Sequence, residues 1–138
     1  GIEAAAAKSK DAGIKRAIML PVAGAYHSRL MVSAQEKLAA VLATAAIQSP
    51  SCPVVCNFEA NVVSEPADIR STLTSQVTGS VRWVESMQSL RDQGHELFIE
   101  LGPDATLAGL MGKIDKSARV VSIKDTTTLD AALTQLGQ

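Results

Sequence analysis

The sequence predicts an α/β fold, and three observations carry that expectation. Short apolar runs recur along its 138 residues, separated by segments whose apolar positions step by three and four. The runs are nearly all apolar rather than alternating, as in a sheet covered on both faces. Neither an internal repeat nor a low-complexity linker interrupts the pattern.

In chain order, residues 1–12 suit a helix, with Ala4 to Ala7 at its centre, Lys8 and Lys10 on a polar face and Gly13 as its stop. Arg16 to Val22 reads as a buried strand, ended by a loop of small residues that closes on His27. Ser28 is placed to cap the next helix, where Leu30, Met31, Ala34, Leu38, Val41, Leu42 and Ala45 form one face. Pro50 and Pro53 close that helix, Pro53 to Phe58 is expected as a strand, and Glu59 to Glu65 as a polar loop.

Pro66 fits the first turn of a helix that turns Ile69 and Leu73 inward and has Gln76 near its end. Thr78-Gly79-Ser80 then breaks the chain, and Ser80 offers a cap to a helix carrying Val81, Val84, Met87 and Leu90, stopped by Gly94. Glu96 to Leu101 should be a strand, and Gly102-Pro103 leads to a helix opened by Pro103 or Asp104, with Leu107, Leu110, Met111 and Ile114. A strand from Arg119 to Ile123 and a helix introduced by Thr126-Thr127-Thr128 complete the series.

Composition excludes several functions. Hydrophobic residues are 46%, charged residues 20% and net charge −1, which gives no electrostatic case for nucleic acid or an anionic membrane. Aromatics at 3% leave little for base stacking, and no apolar run approaches the roughly 20 residues of a membrane span. The start, Gly1-Ile2-Glu3-Ala4, lacks the cationic and then apolar pattern of a signal peptide and reads as a helix already under way. A piece of a longer polypeptide, beginning inside a domain, is the expectation. Cys52 and Cys56 lack partners at zinc-ligand spacing and are expected as buried, reduced thiols. They fit a reducing compartment, and a cytoplasmic location is expected.

His27 is the candidate for chemistry. An imidazole between a buried strand and a capped helix could act as general base for a hydroxyl or thiol, if some group fixes its tautomer. A histidine satisfied by local backbone groups is the other reading. Ser28, being adjacent, reads as a cap rather than a nucleophile, and no G-x-S-x-G elbow is present in the chain. Gly102-Pro103 lacks the glycine spacing of a phosphate cradle and reads as a tight strand–helix connection. Gln76, Arg82 and Trp83 gather around a chain break, and His95 reads as surface.

An ordered series of motifs goes further. Lys15-Arg16-Ala17, Leu20-Pro21-Val22 and Ala25-Tyr26-His27-Ser28 with Leu30-Met31 come first. Pro53-Val54-Val55-Cys56-Asn57, Ile69-Arg70, Gln76-Val77 and Val81-Arg82-Trp83 follow. Phe98-Ile99-Glu100-Leu101-Gly102-Pro103 and Leu107-Ala108-Gly109-Leu110 end the series. In this order they resemble the C-terminal part of the malonyl-CoA:acyl-carrier-protein transacylases and related acyltransferase domains.

The resemblance implies an α/β-hydrolase-like large subdomain over residues 23–138, with residues 1–22 finishing a ferredoxin-like small subdomain. It implies transfer of malonyl from coenzyme A to the phosphopantetheine thiol of acyl-carrier protein, through a serine ester, in fatty-acid biosynthesis. His27 would be the base, oriented by the backbone carbonyl at Gln76 in place of a triad carboxylate, which stabilises the imidazolium less than an aspartate would. The nucleophilic serine would lie upstream of Gly1, so this chain alone should be inactive without the preceding part of the enzyme. Coenzyme A thioester is substrate, and no cofactor or metal is implied. Tyr26 stands where malonyl-type members usually carry Phe, Gly79-Ser80 where Asn-Pro or Ser-Pro is usual, and Asp104 where glycine is. A polyketide-synthase acyltransferase module is the enzyme alternative, and a non-catalytic α/β interaction domain is the alternative of another class.

Overall fold

A computed structural model describes residues 1–137. Among the described residues six α-helices, one 3-10 turn and four short strands follow one another: α1 (Ile2–Ala7), the 3-10 turn (Arg29–Met31), α2 (Val32–Thr44), β1 (Val54–Val55), β2 (Val62–Val63), α3 (Pro66–Ser75), α4 (Trp83–Asp92), β3 (Leu97–Leu101), α5 (Thr106–Ile114), β4 (Arg119–Ile123) and α6 (Thr126–Leu136). Strands β3 and β4 run parallel with α5 between them, a βαβ unit, in the register Leu97–Arg119 to Leu101–Ile123. Strands β1 and β2 form a separate antiparallel hairpin pairing Val54 with Val63 and Val55 with Val62. The α/β class therefore holds, built from two small sheets and their helices.

The βαβ unit is held by a buried carboxylate. Glu100 and Ser122 sit opposite one another on the paired strands, and the Ser122 hydroxyl donates to the Glu100 carboxylate at 3.1 Å. The same carboxylate accepts the N–H groups of Leu107 and Ala108 at 2.9 and 3.0 Å. Ala105, at the N-cap of α5, has no side chain able to do this, so the strand supplies the cap. Burial pushes the Glu100 carboxyl up, but those two N–H groups and the serine hydroxyl outweigh it and hold it below the ordinary range. Met111 on α5 and Ala132 on α6 are the most enclosed apolar residues of this half, each 2% exposed. At the far end, Arg91 of α4 donates to Asp115 at 2.7 Å and to the His95 carbonyl at 3.0 Å, joining the ends of α4 and α5.

Several expectations are corrected. Helix α1 stops at Ala7, five residues short of the expected end, because residues 8–13 form turns that Gly13 ends at φ 75°. Arg16 to Val22 is neither strand nor buried: no described strand lies beside it, and Leu20 is 71% exposed. Residues 59–65 are not simply a loop, since they contain β2; Ala60 makes the hairpin turn at φ 57° without glycine, so the turn carries no sequence signal. Ser80 does not cap α4, which starts later, with Arg82 at its N-cap, and α5 opens at Thr106 after Ala105. Cys52 is exposed and Cys56 half-buried, not a buried pair. Leu97, Ile99 and Leu101 alternate with the residues under α4 and α5 and are exposed, so the second face of β3 is bare among the described residues.

Two predictions follow from this packing. A Cβ on Gly79 would overlap the Phe58 ring, which presses the loop after α3 onto the β1–β2 hairpin. Gly79→Ala should cost about 1–3 kcal/mol by overpacking, read as a lower urea midpoint. Asp115 is held near 2 rather than its ordinary 3.8 by the Ser117 hydroxyl and N–H, then by Arg91. A carboxyl whose folded pKa lies below its unfolded one stabilises the fold above the unfolded value and loses that contribution as pH falls toward the folded one. Melting temperature should therefore drop as pH goes from 3.8 to about 2. Asp115→Asn should start from a lower melting temperature at pH 7 and lose less over that acid range.

Candidate active site

Small residues bring the chain to His27. Gly24 lets the Tyr26 ring fold back, since a Cβ there would stand 3.2 Å from the ring's Cζ. His27 itself takes φ 59°, a left-handed conformation that L-residues seldom adopt outside tight turns. Ser28 braces this turn from both sides. Its hydroxyl donates to the Ala25 carbonyl at 2.7 Å and accepts the Leu30 N–H at 3.3 Å, capping the 3-10 turn that feeds α2. The cap role expected for Ser28 is the one observed.

Helix α3 supplies the partner. Pro66 occupies its first turn, as its fixed φ and missing N–H suit, and Gln76 is its C-cap residue. The Gln76 N–H is used within the helix, bonding to the Thr72 and Thr74 carbonyls, but a terminal carbonyl has no intrahelical donor. His27 Nδ1 lies 2.8 Å from the Gln76 carbonyl oxygen, across 49 residues of sequence. A carbonyl can only accept, so Nδ1 carries a proton, and in the neutral ring Nε2 is the nitrogen with the free lone pair. His27 is an exposed residue, and its ring meets the carbonyl through Nδ1 alone among the described contacts. The structure thus brings His27 and Gln76 together.

Two further side chains hold α2 and α3 in place. Gln35 of α2 donates to the Thr74 carbonyl at 3.1 Å and accepts from the Thr78 hydroxyl at 3.3 Å. Arg70 of α3 donates to the Leu42 and Ala45 carbonyls at 3.0 and 2.9 Å, satisfying the C-terminal end of α2. The start of α2 therefore meets the end of α3, and the end of α2 meets the body of α3: the helices are antiparallel. Beyond Gln76, Arg82 pins the loop to the hairpin, its N–H bonding to the Asn57 carbonyl at 2.8 Å and its Nη1 to the Glu59 carbonyl at 3.3 Å. Neither Gln35 nor the Arg70 contact has a sequence signal, because both depend on how the two helices cross.

Other candidates stand apart from this arrangement. His95 is exposed, as expected. Trp83 is half-buried, and its indole Nε1 is sealed from solvent with no acceptor among the described residues. It borders an apolar cavity of about 180 Å³ with Met87, Phe98, Leu107 and Met111, which includes no residue of the His27 loop. Among the described residues, no group of three or more His, Cys, Asp or Glu side chains could hold a metal ion. No helix is long and apolar enough to cross a membrane among those residues.

With this geometry in view, the relatives are informative. The malonyl CoA-acyl carrier protein transacylase of Bacillus subtilis strain 168 is 39% identical over 136 residues, 99% of this chain and 43% of that protein. The acyl-carrier-protein S-malonyltransferase of Burkholderia pseudomallei 1710b is 41% identical, with a TM-score of 0.89, over 96% of this chain and 43% of that one. A malonyl-transacylase solved in complex with its type II PKS acyl-carrier protein is 34% identical, with a TM-score of 0.91, over 97% of this chain and 43% of that one. No protein-family model matches. The resemblance to malonyl-CoA:acyl-carrier-protein transacylases holds along nearly the whole chain in sequence and in fold, while the chain spans 43% of the length of the curated relatives named above.

The bracing of the His27 turn is open to test. Ser28→Ala removes a cap and the bridge to Ala25 together and should cost about 0.5–2 kcal/mol in urea denaturation. A loss no larger than that of an exposed control such as Ser33→Ala would refute the bridge's contribution.

Proposed function

We propose that this chain is the C-terminal portion of a malonyl-CoA:acyl-carrier-protein transacylase, with His27 as its general base. The single observation that carries the proposal is the 2.8 Å approach of His27 Nδ1 to the Gln76 carbonyl, in a chain similar to transacylases over 99% of its length. Residues 23–138 would belong to the α/β-hydrolase-like core and residues 1–22 to the end of a ferredoxin-like small subdomain. The remainder of the enzyme would supply the serine.

In this reading Nε2 takes the proton of the serine hydroxyl as its oxygen attacks the malonyl thioester carbonyl. Collapse of the tetrahedral intermediate expels the coenzyme A sulfur, which leaves as the thiol with the proton held on His27. The bare Nε2 then removes the proton from the carrier protein's phosphopantetheine thiol. The sulfur attacks the serine ester, and the proton returns from His27 to the serine oxygen. Gln76 takes no proton; it keeps Nδ1 protonated so that the same nitrogen, Nε2, serves both half-reactions. Coenzyme A thioester enters as substrate, and the scheme needs no resident cofactor.

An acyl-carrier protein is the partner this reading requires, supported by the relative solved with one bound. The reading also carries a cytoplasmic location and a place in fatty-acid biosynthesis. Tyr26, next to the base and exposed, stands where malonyl-type members usually carry Phe, and in this reading it bears on the choice of acyl group.

The test is malonyl transfer from coenzyme A to carrier protein by the complete polypeptide. His27→Ala should slow transfer by at least about 100-fold, the lower range for loss of an acid–base group. Transfer at the unsubstituted rate would remove His27 from the mechanism.

A further inference from the structure

We infer that Gln35 is a positioning residue for the His27–Gln76 pair, an assignment that rests on the transacylase reading above. His27 and Gln76 belong to different segments, and a hydrogen bond of 2.8 Å between them needs both held in place. On the His27 side the turn runs through Ser28 directly into α2. On the Gln76 side the carbonyl projects from the end of α3, where helices fray and where the chain turns away. Gln35, on α2, reaches across and grips this end at two points. Its Nε2 donates to the Thr74 carbonyl two residues before Gln76, and its Oε1 accepts from the Thr78 hydroxyl two residues after it.

The amide thus spans the residue whose carbonyl meets the imidazole. The Gln35 amide carries a donor and an acceptor at its tip, and it uses both in this pair of contacts. Gln35 and its partners are partly buried, so water competes less for these bonds than at an exposed helix surface. No reacting atom touches Gln35. Its effect is on the distance and direction of the carbonyl, and through them on the tautomer and aim of the ring.

The experiment uses the complete polypeptide carrying Gln35→Met, which keeps the length of the side chain and removes both hydrogen bonds. Loss of two modest hydrogen bonds that act on the aligned state should lower kcat for malonyl transfer by about tenfold, with KM for malonyl-CoA within about twofold. Nitrogen-15 NMR of His27 should show a single Nδ1–H tautomer in the parent and a mixture in the variant. Thr78→Val should lower kcat by a smaller factor and add nothing further on top of Gln35→Met, since both act through one contact. Should Gln35→Met not fold, Thr78→Val gives the same readings from the other side of the bridge. An unchanged kcat with an unmoved His27 signal, alongside a His27→Ala variant that has lost activity, would overturn the role of Gln35 and leave the transacylase reading standing. A His27→Ala variant that transfers malonyl normally would overturn that reading, and the role of Gln35 with it.

Discussion

An α-helix cannot satisfy its own last carbonyls or its first N–H groups, and this constraint organises the molecule. The free carbonyl at Gln76, past the end of α3, takes the His27 imidazole, and the Thr74 carbonyl nearby takes Gln35. The Leu42 and Ala45 carbonyls at the end of α2 take Arg70 from α3. At the other pole, the N–H groups opening α5 take Glu100 from β3. Each of these helix ends is met by a side chain from another element, so there capping and tertiary packing are the same set of bonds. Few apolar side chains are fully buried among the described residues, and such directional contacts help set the helices against each other.

The His27 turn shows how such bonds hold an unfavourable conformation. A left-handed non-glycine residue costs on the order of 1–3 kcal/mol, and it persists when the surroundings over-determine it. Here the backbone is fixed by the Ser28 bridge to Ala25 and the side chain by Gln76. Turning the chain this way places the imidazole toward α3 just before the backbone enters α2. The strain is therefore tied to the one residue whose direction matters most, and the bonds that relieve it also set that direction.

What the sequence disclosed follows from the range of each interaction. Helices α2, α3, α5 and α6 were legible because their apolar spacing, Pro66 and the threonines before Leu129 act over a turn or two of chain. His27 and the Ser28 cap were legible for the same reason, both being local. The strand expected at Arg16 to Val22 failed because an apolar run specifies a wish to be covered and not the partner that covers it. Of the β1–β2 hairpin, β1 lies within the expected strand Pro53 to Phe58, while β2 was hidden by its two-residue length and by Ala60 in a glycine-like turn. The Gln76 contact is illegible from residue type, because every residue carries a carbonyl; only the resemblance to a family pointed to it. Gln35 was not visible at all, since nothing in a helical glutamine announces which neighbouring backbone it will reach.

A neutral carbonyl in the place of a triad carboxylate has a consequence for a substrate that is itself an acid. The proposed malonyl group carries a negative charge into the site with its thioester. Two like charges about 7 Å apart repel by about 2 kcal/mol at an effective dielectric constant near 20, which is the scale a triad carboxylate would add. A peptide carbonyl fixes the same imidazole tautomer with only a partial charge, so under the proposed reading it would orient the base while repelling the substrate far less. The cost is weaker support for the protonated ring, and a rigid carbonyl position is what limits that cost, because a dipole acts strongly only when it points at the charge. The bracing around α3 and the choice of a carbonyl are thus two sides of one solution: the weaker the charge on the orienting group, the more its geometry has to be held.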